Sequence, residues 1–227
     1  PDLTVFGEIT DASLDGTRGF HVGYRFEYAD GTLATLVDGD LGTRGGLHIE
    51  GPIRAPFAVL TSASRFVREA VLDGLEVDLD QANLAFVLPF FGERVRELGI
   101  AGRATVAVIL RGTFSDPELP RAVVILDRFA LPGWTPVRMK AELTYVDDEL
   151  RAERLWIADS VGEIALAEAG VHFSVQDPPA DLAGWLARSA AAPFHIAARF
   201  EPRRLDGLPR PLSKHLLPYN PIRRGDI

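Results

Sequence analysis

Three groups of acidic residues are the side chains in this sequence most suited to binding a cation or to hydrolysis. They are the pair Asp38 and Asp40, the pair Asp78 and Asp80, and the run 147–149. Calcium prefers carboxylate oxygens, and glycoside hydrolysis requires a carboxylate pair. None of the groups has the spacing of a calcium-binding loop, and the run 147–149 separates two strand-like segments, which favours a hairpin turn there. The Asp78 and Asp80 pair supports one hypothesis, a carbohydrate-active or calcium-dependent β enzyme.

Other catalytic signatures are missing from the sequence. None of the five histidines forms a pair with helical or zinc-finger spacing, and His21, His172 and His195 fall on the polar side of strand-like runs. No serine has the Gly-x-Ser-x-Gly neighbours of a hydrolase nucleophile. The glycine-rich stretch 39–46 has neither the lysine nor the following helix of a phosphate-binding loop. The sequence therefore predicts a protein that is not an enzyme and has no metal or cofactor.

Composition restricts the class of partner. A net charge of −8 argues against a nucleic-acid surface, which needs a basic stripe. The apolar run 84–91 is far shorter than the roughly 20 residues that span a bilayer as a helix. The sequence has no cysteine, which removes disulfides and thiolate sites. It opens directly on a strand-like run, and we interpret it as a segment of a longer protein.

Alternation of apolar and polar residues is the strongest pattern in the chain. Between residues 20 and 28 every second side chain is large and apolar, as in a strand with one buried face. The dipeptide Asp30-Gly31 then predicts a tight hairpin, with a returning strand over residues 33–37. Similar alternation recurs over residues 47–49, 75–79, 106–110, 137–145, 171–175 and 194–200.

These strand-like runs are separated mainly by glycine and proline, which is typical of an antiparallel sheet. Helical periodicity is confined to residues 91–98 and 181–189, where single turns are predicted. We expect an all-β fold with at most short helical turns over residues 1–200. Residues 201–227 are rich in proline and basic side chains, and we interpret them as a linker or a continuation into the next repeat.

An apolar sheet face must be covered, because exposed apolar area costs about 25 cal/mol per Å². The sheet could pack on a second sheet, close on itself, or curl into a trough that holds acyl chains. The alternation alone leaves these possibilities open. If the face is a trough, its candidate lining residues are Phe20, Val22, Tyr24, Phe26, Leu75, Val77, Leu79, Val106, Val108, Leu110, Met139, Leu143, Tyr145, Val171, Phe173, Phe194 and Ile196.

A glycine phrase occurs three times, at residues 7–12, 51–56 and 112–117: a glycine, any residue, a large apolar residue, two residues, then proline or alanine. We expect each copy to end a strand and to mark the joint of a repeating unit. The stretch 104–119 closely resembles the recurring phrase of the TamB and AsmA-like family, in which a strand leads into Gly-Thr, an apolar residue and then Pro. The order of strand-like pieces up to residue 173 is similar to that family as well.

This resemblance implies a β-taco, an elongated, curled antiparallel sheet that forms a U-shaped groove, apolar inside and polar outside. Proteins of this family, which includes the translocation and assembly module, are anchored in the inner membrane and cross the periplasm. They are linked to phospholipid transport to the outer membrane and to assembly of outer-membrane β-barrel proteins. The implied partners are phospholipid acyl chains and an outer-membrane β-barrel, with membrane contact through parts of the parent protein outside this segment. The alternative hypothesis is a closed β-sandwich that acts as a protein-interaction module with a packed side-chain core.

Overall fold

The computed structural model describes residues 2–14, 17–87, 99–172 and 194–200. They form one eleven-stranded antiparallel sheet in which the spatial order of the strands is their order in the chain, and the sheet is not closed into a barrel. The predicted curled all-β fold is thus confirmed. The strands are β1 (Leu3–Leu14), β2 (Thr17–Ala29), β3 (Thr32–Asp40), β4 (Gly46–Arg54), β5 (Val71–Asn83), β6 (Ala101–Thr113), β7 (Pro117–Ala130), β8 (Val137–Val146), β9 (Glu149–Ala158), β10 (Glu163–His172) and β11 (Phe194–Phe200).

Two hairpin turns lie where the sequence predicts them. Asp30 and Gly31 join β2 to β3 with φ values of 49° and 76°. Asp147 and Asp148 join β8 to β9 with φ values of 53° and 59°. Positive φ at both central residues suits the right-handed twist of the flanking strands, and aspartate and glycine tolerate it better than other residues. Asp147 and Asp148 are therefore turn residues, as predicted, and Glu149 is the first residue of β9.

Irregular strand pairing follows two lines that cross the sheet at right angles to the strands. One line passes through Gly74 of β5, residues 119–121 of β7 and Glu153 of β9. The other passes through Gln81 of β5 and Arg128 of β7, which have φ values of 48° and 53°. An extra residue in one strand of a pair bends that strand. Two aligned sets of bulges thus account for the curl of the sheet.

Short helices cover part of the sheet at both ends of the strands. Helices α1 (Phe57–Leu60) and α2 (Ala63–Glu69) connect β4 to β5, and α3 (Leu84–Val87) follows β5. The first two helices were not predicted, because seven residues or fewer show too little periodicity to distinguish a helix from a loop. The helical turns predicted over residues 91–98 and 181–189 lie outside the described residues, and so does the segment 201–227.

The expectation that each glycine phrase ends a strand is wrong for the first copy, which lies wholly within β1. The second and third copies do contain a strand end, because β4 ends at Arg54 and β6 at Thr113, although Gly51 itself still lies inside β4. Close approach of neighbouring groups explains the glycine at both internal positions. A Cβ at Gly7 would lie 2.5 Å from the Tyr24 hydroxyl, and one at Gly51 would lie 3.0 Å from the Gly74 carbonyl oxygen. In addition, β1 runs antiparallel to β4 and β6, so the copies do not mark one repeating unit.

Candidate functional site

One face of the sheet, which we call the inner face, carries most of the large apolar side chains. Side chains alternate between faces along a strand, and the pairing register shows which residues of neighbouring strands share a face. One row across the middle of the inner face consists of Gly7, Tyr24, Val37, Ile49, Val77, Val108, Ala122, Leu143, Ala152, Ala169 and Ile196. The row beside it consists of Ile9, Val22, Gly39, Leu47, Leu79, Val106, Val124, Ala141, Leu155, Ala167 and Ala198. No charged residue interrupts either row.

The register brings the predicted groove residues together on this face. Phe26 lies on β2 beside the first row, and Leu75 pairs with Leu110 in β5 and β6. Further candidates lie nearer the strand ends, namely Phe20, Met139, Tyr145, Val171 and Phe194. The remaining candidate, Phe173, lies outside the described residues.

Most side chains of the inner face are more exposed than the side chains of a closed core. Phe20, Leu75 and Tyr145 are buried, whereas Ile196 on the edge strand β11 is 63% exposed. Eleven further candidates are half-buried: Val22, Tyr24, Phe26, Val77, Leu79, Val106, Val108, Leu110, Met139, Leu143 and Val171. Most of the face therefore stays within reach of solvent or of a ligand.

Near one end of the strands, helices α1 and α2 cover the inner face of β3 to β6. The packed cluster there consists of Ile53, Ala55, Val59, Ala70, Leu72 and Leu75. Leu72 and Val59 are its most deeply buried large side chains, at 2% and 1% exposed. The rings of Phe66 and Phe114 lie 5.3 Å apart, so α2 packs against the turn between β6 and β7. This end of the groove is thus a small hydrophobic core.

The other strand end is covered by an aromatic and cationic contact. The rings of Phe20 in β2 and Phe86 in α3 lie 5.5 Å apart. The guanidinium carbon of Arg44 lies 5.5 Å from the first ring centroid and 4.8 Å from the second, within range of a cation–π interaction. Because side chains cover the inner face at both strand ends, the middle rows are the part of this face that stays accessible.

No family model matches this chain, and neither a curated protein nor a solved structure matches it. The likeness to the TamB and AsmA-like family therefore rests on the sequence phrases alone. The fold class is established by the strand pairing itself.

The opposite, outer face is mainly polar, although Leu36 and Ile109 also lie on it. On this face His48 has a hydrogen-bond partner at each ring nitrogen. The imidazole Nδ1 lies 2.6 Å from Asp38 Oδ1 and its Nε2 lies 3.3 Å from Glu50 Oε2. The hydrogen bond to Asp38 raises the pKa of His48 above its usual value, partial burial opposes that rise, and the bond to Glu50 adds to it. Sequence reasoning overlooked His48, although its place between apolar neighbours in β4 puts it on the polar face. His21, His172 and His195 lie on the outer face, as predicted.

A cavity of about 1260 Å³ also lies on the outer face, where β5 to β10 meet at one strand end. Two side-chain hydrogen bonds lie in its wall: Arg138 donates to Asp127 over 2.7 Å, and the Trp156 indole N–H donates to Glu163 over 2.7 Å. Neither pair joins a nucleophile to a base. These residues were not singled out from the sequence, because pairing across strands depends on register.

The described residues offer no arrangement suited to metal chemistry. Over residues 2–14, 17–87, 99–172 and 194–200, no three histidine or carboxylate side chains come together to hold a metal ion. Asp78 lies beside His48 on the outer face, and Asp80 lies one row away beside Gly46. In the same ranges no helix has the length and apolar character needed to cross a bilayer. The candidate functional site is therefore the half-exposed apolar inner face.

Proposed function

We propose that this chain is a non-enzymatic cell-envelope segment whose inner face carries phospholipid acyl chains between the inner and outer membranes. The observation that carries the proposal is the apolar face that continues across eleven strands while most of its side chains stay half-exposed. The sequence resemblance supplies the periplasmic location, the inner-membrane anchor of the parent protein and a partner among outer-membrane β-barrels.

The dimensions of the face suit this role. Neighbouring strands lie about 4.8 Å apart, so a path across the eleven strands is about 48 Å long. That exceeds the roughly 30 Å of a bilayer hydrocarbon core. An acyl chain lying along the middle rows leaves water and covers side chains that the protein itself leaves half-exposed. Both effects favour binding.

The alternative hypothesis, a closed β-sandwich module, requires a second sheet or a closed interior. The described strands belong to a single sheet with free edges at β1 and β11. The half-exposed middle rows also lack the burial expected of a packed core. The open groove therefore has better support.

Arginine substitutions on the two faces provide the test. Val108 and Leu143 lie in the same inner row, separated by Ala122. The double variant Val108→Arg and Leu143→Arg should remain folded, because both positions are half-buried and a long side chain can reach water, but it should lose lipid crosslinking. The matched control places the same charges on the outer face through Ala107→Arg and Thr144→Arg, and this variant should still crosslink to lipid.

Lipid carried through native purification is quantified by mass spectrometry, and folding is followed by circular dichroism. A wild-type protein that carries no lipid above background would refute the groove. If the inner-face double variant unfolds while the outer-face control stays folded, the inner face is a packed core and the sandwich hypothesis is favoured instead.

A further inference from the structure

Thr35 is a polar residue within the otherwise apolar inner face. It lies in β3, opposite Phe26 of β2 and Gly51 of β4. The residue is 9% exposed, and its Oγ1 atom is buried without a hydrogen-bond partner. Among the side chains of residues 2–14, 17–87, 99–172 and 194–200, no other buried oxygen or nitrogen atom is recorded without a partner. A buried hydroxyl without a partner destabilises the protein unless something else bonds it.

The surroundings explain why the protein supplies no partner. β3 pairs with β2 and with β4 in regular register along its whole length, so the ladder occupies the nearby backbone groups. The flanking side chains on the inner face, Leu33, Phe26 and Val37, have no polar atoms. Gly51, with φ of 142°, adds no side chain on the other side. The hydroxyl is thus left without a partner from the described protein groups.

The position of Thr35 places it where a ligand would pass. Phe26 and Val37 are half-buried, and Val37 belongs to the first middle row of the inner face. A chain bound along that row contacts both residues and lies beside the Thr35 side chain. Because Oγ1 is buried, binding requires a neighbouring side chain to turn aside, and the half-buried Phe26, which lies directly opposite Thr35, is the candidate for that movement.

We propose that the Thr35 hydroxyl donates a hydrogen bond to an ester carbonyl oxygen of a diacyl lipid and fixes the position of that lipid in the groove. This inference rests on the proposed function, because it needs a lipid on the inner face. It adds that the groove distinguishes ester-linked chains from chains without a carbonyl group. A purely apolar groove has no means of making that distinction.

The test compares two lipids on two proteins. Wild-type protein and the Thr35→Val variant are titrated with vesicles of diacyl phosphatidylethanolamine and with vesicles of its dialkyl ether analogue, which has the same chains without carbonyl groups. Valine keeps the shape of threonine and favours strands, so the variant should fold. Thr35→Ser, which keeps the hydroxyl, is the second variant and should behave like the wild type.

One neutral hydrogen bond corresponds to about a three- to tenfold change in affinity. We expect wild type and Thr35→Ser to bind the diacyl lipid about three- to tenfold more tightly than the ether lipid. Thr35→Val should bind both lipids equally, at the level of the ether lipid. Without lipid, Thr35→Val should unfold at a higher temperature than the wild type, because the unsatisfied hydroxyl is gone.

The outcomes separate the two proposals. If the wild type binds both lipids equally, or if Thr35→Val keeps the preference for the diacyl lipid, the role of Thr35 is refuted while the groove stands. If the wild type binds neither lipid, the proposed function fails and the role of Thr35 fails with it.

Discussion

Two leucines of β5 allow the packed and open parts of the inner face to be compared with one substitution type. Leu72 is 2% exposed beneath helices α1 and α2, whereas Leu79 is half-buried in a middle row of the same face. Leucine to alanine removes three carbon atoms, each worth about 0.8 kcal/mol when fully buried, and an added cavity term brings the usual cost to about 2–5 kcal/mol. For Leu72→Ala we expect a loss of about 3–4 kcal/mol in the free energy of unfolding.

For Leu79→Ala the expected loss is about 1 kcal/mol, because its side chain is only partly removed from water and no closed cavity forms. Both values come from urea unfolding followed by fluorescence and circular dichroism, with the denaturant slope required to stay constant so that the comparison is valid. A loss for Leu79→Ala equal to or larger than that for Leu72→Ala would refute the reasoning. The middle rows would then be a core, and acyl chains would have no room there.

Three further predictions test features of the fold. Gly112→Ala should lower the free energy of unfolding by at least about 1 kcal/mol, because the φ of Gly112 is 82° and a Cβ there would lie 2.5 Å from the Asp116 carbonyl oxygen. Thermal unfolding measures this loss, and an unchanged unfolding midpoint would contradict the prediction. The raised pKa of His48 means that its ion pair with Asp38 stabilises the fold below about pH 6.5 and that this contribution is lost as pH rises through the folded-state pKa. Because the pair is exposed, His48→Gln should cost no more than about 1 kcal/mol at pH 6 and nothing at pH 9 in urea unfolding, and an equal cost at both pH values would contradict this. Phe66→Ala should release helix α2 from the turn between β6 and β7 and speed amide exchange in α2, and unchanged exchange there would show that the ring contact is not needed.

The sequence was sufficient to predict the strands and the direction of their side chains. Alternation over residues 20–28 and 137–145 specified which face each residue would join, and aspartate and glycine at the turns specified the hairpins. These features depend on neighbours within one strand or one turn, so a single sequence reveals them. The register then placed the described groove residues on one face.

Features that depend on distant parts of the chain were not predictable in the same way. Helix α1 is stabilised by burial of its own Val59 in the hydrophobic cluster, and α2 packs Phe66 against that cluster, while their sequence has almost no helical period. The internal positions of Gly7 and Gly51 follow from what lies opposite them across the sheet. The missing partner of Thr35 likewise appears only once the pairing of β3 on both sides is known.

The strand order has a consequence for how the molecule opens. Because each strand among the described residues pairs only with its neighbours in sequence, the described sheet can fray from β1 or from β11 without disturbing the strands beyond the opening. Amide exchange should then be fastest in β1 and β11 and slowest in the middle strands. A ligand on the inner face would slow exchange only in the strands beneath it, so the pattern of protection along the chain would report how far the ligand had advanced.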